Sequence, residues 1–198
     1  MRKIILATFL LILFAGSSYG QFTKIGAGLF FDHKYYFNDE VNGDHKLGNP
    51  AFFFTGIYEF NLQFHIAPRI SMFFPNSTTV EDQGFTDKTV ITGYSLDADA
   101  HYVFNALDNF EFYGIGGINI LYVHRKNEFV SVDFSDTIKD GTTSLGLNLG
   151  VGTYWKVKEQ FDIYGEVKCI VANQVQFVGT VGILLNIDWL AKNEEPGY

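Results

Sequence analysis

The sequence predicts an all-β protein, an eight-stranded antiparallel up-and-down transmembrane barrel behind a cleavable leader. Runs of roughly ten to fifteen residues alternate apolar with polar side chains, the period of a strand that faces two environments. The connections between them, at about 32–50, 61–63, 75–88, 104–109, 123–143, 157–160 and 172–176, alternate long with short. That is the pattern of outward loops and tight periplasmic turns. The strands also carry their mid-strand charges on one face only, as the parity below shows.

The leader comes first. Arg2 and Lys3 precede an apolar run from Ile4 to Gly16, and Ser18-Tyr19-Gly20 follows, the order of a secretory signal peptide. Residues 1–20 are expected to be removed, leaving Gln21 at the start of the mature chain. The run is too short for a helical span, which takes about twenty residues, and nothing later reaches that length without a polar interruption. The barrel is expected over 21–189 and a short periplasmic tail over 190–198.

In the first strand Ile25, Ala27, Leu29 and Phe31 alternate with Lys24, Gly26, Gly28 and Phe30. The second sets Phe52, Phe54, Gly56, Tyr58 and Phe60 against Thr55, Ile57 and Glu59. The third opposes Phe64, Ile66, Pro68, Ile70, Met72 and Phe74 to His65, Ala67, Arg69 and Ser71. The fourth opposes Leu96, Ala98, Ala100 and Tyr102 to Ser95, Asp97, Asp99 and His101. In the fifth, from about Phe110 to Tyr122, only Glu111 and Asn119 mark the inward register. The sixth places Leu145, Leu147, Leu149, Val151, Thr153 and Trp155 opposite Gly146, Asn148, Gly150, Gly152, Tyr154 and Lys156. The seventh places Phe161, Ile163, Gly165, Val167, Cys169 and Val171 opposite Asp162, Tyr164, Glu166 and Lys168. The last runs Phe177 to Trp189 with Val178, Thr180, Gly182, Asn186 and Asp188 inward.

A soluble sandwich or lipocalin-like barrel shows the same period, but it keeps charge outside. Here Glu59, Arg69, Asp97, Asp99, Glu166 and Lys168 share the inward faces while the opposite faces are uncharged over their centres. Hydrocarbon requires that inversion, and a closed sheet satisfies the backbone. Ten residues at about 3.3 Å, tilted about 45°, rise about 23 Å, which fits an apolar band about 25 Å tall.

Composition narrows the partners. The chain of 198 residues carries a net charge of −8, more negative once Arg2 and Lys3 are removed, which argues against nucleic acid and against an anionic lipid surface as partners. The lone cysteine, Cys169, has no internal disulfide partner and lies in the outward register, where it acts as a small apolar side chain.

Four stretches carry a family resemblance: Ile66-Ala67-Pro68-Arg69-Ile70-Ser71, Leu96-Asp97-Ala98-Asp99-Ala100-His101-Tyr102, Phe112-Tyr113-Gly114-Ile115-Gly116-Gly117 and Tyr164-Gly165-Glu166-Val167-Lys168. With them the mature chain resembles the compact outer-membrane β-barrel domain proteins of Bacteroidetes-type bacteria, the PorT-like family. It also shares its architecture with the small OmpA/OmpX-type barrels. The resemblance implies an eight-stranded barrel in the cell outer membrane and no catalytic role. It implies outer-membrane lipid, lipopolysaccharide and the barrel-assembly machinery as partners. Unlike the OmpA type, the barrel is expected to be followed by a short tail rather than a peptidoglycan-binding domain, and the final strand is expected to end at Trp189.

Side chains fill an eight-stranded lumen, so an open pore is disfavoured. Glu59, Arg69, Asp97, Asp99, His101, Glu166 and Lys168 are then expected to form a lumen network, with Arg69 and Lys168 neutralising the carboxylates. A proton or ion pathway is the alternative use of such a cluster. A lipid A-modifying enzyme needs a serine or histidine beside an acid at the outer rim. His33, His45 and His124, with Ser71, Ser131 and Ser144, supply residues but no spacing that forces a pair. No catalytic, metal or cofactor site is therefore assigned.

Recognition is expected in the outward loops. Tyr35, Tyr36 and Phe37 stand beside acidic residues in the first, and Phe129 and Phe134 between Arg125-Lys126 and Asp136 in the third. Aromatics mixed with charge suit a protein or glycan partner, though the same rings would serve an interface girdle. Asp136-Thr137-Ile138 resembles a short O-glycosylation acceptor, and Asn76-Ser77-Thr78 matches an N-glycosylation sequon. The expected function is a non-enzymatic barrel with a structural or interaction role. The alternatives are a component of envelope or secretion machinery, or a small-solute conduit.

Overall fold

The computed structural model describes residues 22–32, 49–82, 85–131, 134–172 and 175–187. The expected leader and tail, with Tyr35, Tyr36, Phe37, His33 and His45, lie outside the described residues. The described strands are β1 (Phe22–Asp32), β2 (Asn49–Glu59), β3 (Phe64–Phe73), β4 (Asn76–Asp82), β5 (Phe85–Ala106), β6 (Phe110–Ser131), β7 (Ser135–Lys158), β8 (Phe161–Val171) and β9 (Val175–Asn186). Each antiparallel pair follows chain order, β1 closes on β9, and β3 pairs directly with the lower half of β5. Eight staves therefore make a closed ring. β4 is the outward continuation of β3 and pairs only with the upper half of β5.

The parity expected from the sequence holds along every stave. Ile70, Leu96, Leu149, Val167 and Ile183 are exposed on the outer face, while Arg69, Asp97, Asn148, Lys168 and Leu184 are buried inside. On β6 the outward faces run from Phe112, near the periplasmic turn, to Tyr122, opposite Tyr94 of β5. That interval of about ten residues again rises about 23 Å, so these aromatics mark the two edges of the apolar band.

Two of the expected loops are mostly strand, which corrects the spans 75–88 and 123–143. β5, β6 and β7 reach 22, 22 and 24 residues and stay in unbroken register well above Tyr122. With β4 they form a four-stranded sheet standing about 19 Å above the apolar band on the β6 side. Polar composition concealed it, but β-branched and aromatic residues such as Thr78, Val80, Val90, Thr92, Val123 and Phe129 favour the extended chain. Between Met72 and Asn76 the chain takes one more residue than Tyr94 to Ile91 opposite, a bulge at Phe74-Pro75. Proline cannot donate to the ladder, and the extra residue shifts the parity of β4 relative to β3. Among the described residues β9 runs to Asn186, and the expected end at Trp189 lies outside them.

Candidate functional site in the barrel lumen

Arg69 of β3 and Glu166 of β8 meet across the interior. Arg69 Nη2 donates to Glu166 Oε2 at 2.5 Å, and the guanidinium lies over the Phe53 ring, 4.7 Å from its centroid. Beside this pair, Lys168 Nζ donates to Asp99 Oδ2 at 2.8 Å and to Asp97 Oδ1 at 3.4 Å. Two cations thus face three carboxylates. Amide donors supply the remainder: Asn148 Nδ2 reaches Asp97 Oδ1 and Asp99 Oδ1, each at 2.7 Å, and Asn119 Nδ2 reaches Asp97 Oδ1 at 3.1 Å. In a dry interior such donors keep an excess carboxylate from standing unpaired.

Toward the periplasm lies a tier of aromatic rings. Tyr113 stacks on His101 at 4.5 Å and on Tyr154 at 4.3 Å, while His101 Nδ1 and Tyr154 Oη are 2.6 Å apart. Tyr113 Oη donates to Glu166 Oε1 at 3.1 Å, which ties this tier to the ionic one. Gly152 makes the stacking possible: a Cβ there would come within 2.5 Å of the Tyr113 ring. At the periplasmic rim Lys24 bridges Asp162 at 2.9 Å and Glu59 at 3.4 Å, and Lys156 pairs with Glu111 at 2.5 Å. A mouth of about 750 Å³ opens there. At the outer end Phe30 packs edge-on to Phe73 at 5.1 Å, among buried Ala51, Ile170, Val178 and Leu121.

Six of the seven lumen residues named from the sequence, Arg69, Asp97, Asp99, His101, Glu166 and Lys168, lie together in the buried centre. Glu59 does not join them. It belongs to the rim cluster with Lys24, because it is the last residue of β2. Asn119, Asn148, Tyr154 and Tyr164 are inward by parity, but neither they nor Tyr113 are assigned to the network from the sequence, since an amide or phenol carries no charge signal. Phe129 is not a loop residue: it lies in β6, opposite Asp87 and Asp136. Phe134, between β6 and β7, is exposed. Ser71 is buried in the lumen, while His124 and Ser144 fall on opposite faces of their sheet. Asn76-Ser77-Thr78 and Asp136-Thr137-Ile138 are in β4 and β7.

A closed antiparallel ring with hydrocarbon-compatible walls and an ionic interior defines a small outer-membrane β-barrel protein. The chain belongs to the outer membrane protein beta-barrel domain family, matched over residues 5–183, and its place is the cell outer membrane. Among solved structures it is similar to Ail, the attachment invasion locus protein of Yersinia pestis. The identity is 16%, over 82% of this chain and 95% of that one, with a TM-score of 0.52. Ail in complex with the heparin analogue sucrose octasulfate gives 15% identity, 82% and 96% coverage and a TM-score of 0.52. Neisserial surface protein A gives 14%, 84% and 98%, with a TM-score of 0.54. At these identities the likeness is one of fold. A search of curated proteins found no match.

Proposed function

We propose that this protein is a non-enzymatic interaction barrel, in which a rigid, filled cylinder holds the sheet of β4 to β7 outside the membrane as a platform for a protein partner. One observation carries the reading. β7 pairs with β6 along its whole upper half, but with β8 only from Leu147 downward, so among the described residues Ser135 to Gly146 offer an open edge. Extended segments add to such edges through main-chain hydrogen bonds. Asp136, Lys139 and Asp140 on this edge would discourage indiscriminate pairing. A PorT-like secretion role would use the same platform, whereas the packed lumen tiers speak against a solute conduit. Residues 1–20 as a cleaved leader and 190–198 as a periplasmic tail complete the reading, checked by the mass of the protein extracted from membranes.

A photo-crosslinking residue placed at Thr143 in living cells should capture one discrete protein, and Ile138→Pro should abolish that product. The same probe at Val151, on the lipid face, should not give it. Equal products from both positions, or a product indifferent to proline, would refute the platform. Because Ail was solved with sucrose octasulfate, a sulfated saccharide is the second class of partner to try, by titration of the purified barrel.

A further inference from the structure

The sheet above the membrane sorts its charges by face. On the outward face, continuous with the lipid-facing wall, stand Lys88, Lys126 and Lys139, with Glu81 and Glu128. On the inward face stand Asp87, Asp136 and Asp140, with Arg125. A basic outward face runs against a chain of net charge −8.

The rows place this patch by height. Tyr94 and Tyr122 oppose each other at the outer edge of the apolar band, and above them come Thr92, His124 and Gly141. The next row holds Val90, Lys126 and Lys139, and the one above it Lys88, Glu128 and Thr137. Lys126 is therefore about 9 Å above the tyrosine row, at headgroup level, and a lysine stem can reach back toward the interface.

The patch is short of anions. Lys126 and Lys139 are directly opposed across the β6–β7 ladder, an unfavourable position for like charges. Glu128, above the apolar band, serves two lysines: it accepts a hydrogen bond from Lys126 and faces Lys88 across the β5–β6 ladder. The hydrogen bond from Lys126, then its charge and that of Lys88, hold the Glu128 carboxyl below the usual carboxylate range. Lys139 has no ion pair among the described residues. Directly below, Ile120, Leu145 and Leu147 are exposed to the bilayer.

We propose that Lys88, Lys126 and Lys139 bind the phosphate of a phosphorylated glycolipid of the outer leaflet, whose acyl chains lie on the aliphatic strip beneath. Lysines suit a phosphate as compact point charges. The strip below them selects a lipid over a soluble anion, because a free phosphate gains nothing from Ile120 or Leu145. The site shares Lys139 with the β7 edge but uses lipid-facing side chains rather than the edge's main-chain groups, so Ile138→Pro tests the platform and lysine replacement tests the lipid site.

Native mass spectrometry of the detergent-purified barrel, titrated with bisphosphorylated lipid A and with its dephosphorylated form, tests this. The phosphorylated lipid should bind about tenfold more tightly, and added salt should narrow the difference. Replacing all three lysines by glutamine should erase the preference, and replacing them by arginine should keep it. Asp136→Asn with Asp140→Asn, on the opposite face, should leave it unchanged. If the glutamine triple does not fold, Lys139→Gln alone should reduce the preference. Equal binding of the two lipids, or a preference that survives loss of the lysines, overturns the proposal. Lysine-dependent binding of inorganic phosphate or sucrose octasulfate as tight as that of lipid A also overturns it, and would make the patch a soluble-anion or saccharide site.

Discussion

Arg69 and Glu166, 2.5 Å apart with side chains 2% and 0% exposed, come from β3 and β8, which are diametrically opposite in the ring. Three staves separate them in either direction. Their ion pair is thus a strut across the lumen, and Lys168 of β8 with Asp97 and Asp99 of β5 forms a second one beside it. Struts of this kind resist flattening of the cylinder, but they tie stability to complete pairing, because a lone buried charge costs several kcal/mol.

Arg69→Met should therefore destabilise the barrel by about 3 kcal/mol, chiefly because Glu166 is left without its counter-charge. The double change Arg69→Met with Glu166→Leu removes both charges and should recover more than half of that loss. Ile70→Leu, one residue away on the lipid face, should be close to neutral, since hydrocarbon asks only for apolar surface. Urea unfolding in lipid vesicles measures all three. A double variant as unstable as the single one would show that the strut itself, rather than the orphaned carboxylate, sets the cost.

Gly152 and Gly116 make a second comparison. A Cβ at Gly152 would press on the Tyr113 ring, whereas one at Gly116 meets nothing within 4 Å. Gly152→Ala should cost about 1–3 kcal/mol through overpacking of the tyrosine tier, and Gly116→Ala about zero. Equal effects in the same unfolding assay would mean that the Tyr113–Tyr154–His101 stack is loose.

The sidedness of each strand could be read from the sequence, because a period of two with charge on one face has few interpretations. The partners could not. Arg69 opposes Asp97 in the β3–β5 ladder, yet it hydrogen-bonds Glu166 across the barrel, while Asp97 takes bonds from Lys168, Asn148 and Asn119. Which inward side chains meet depends on the stagger of the closed ring, a property of all eight staves together. The role of Asn148 escaped notice for a related reason: its hub position exists only once Asp97 and Asp99 are placed beside it. The upper sheet was missed because polar residues there resemble loop composition, although Thr78, Val80, Val90 and Thr92 retain strand preference.

The orientation of the barrel predicts a labelling pattern. In a background lacking Cys169, a cysteine at Lys139 should react with an impermeant thiol reagent on intact cells. Asn61, in the β2–β3 turn, and Glu159, in the β7–β8 turn, lie at the opposite end and should stay silent until the outer membrane is opened. Labelling at Asn61 or Glu159 with silence at Lys139 would invert the topology.

Trypsin distinguishes a protruding sheet from long loops. Lys88, Arg125, Lys126 and Lys139 all lie in continuous ladders of β5, β6 and β7, so none presents the flexible extended chain a protease needs. Cleavage at any of them requires the local sheet to open, which the paired β4–β7 rows oppose. On intact cells these four sites should survive a trypsin exposure that fully cuts the urea-unfolded protein. Inserting Gly-Gly between Asn127 and Glu128 breaks the register of β6 above the apolar band and should make Lys126 cleavable, with the barrel below intact. Rapid cutting of the unaltered protein at Lys126 or Lys139 would return this region to the loops its composition suggests, and would remove the platform on which the partner reading depends.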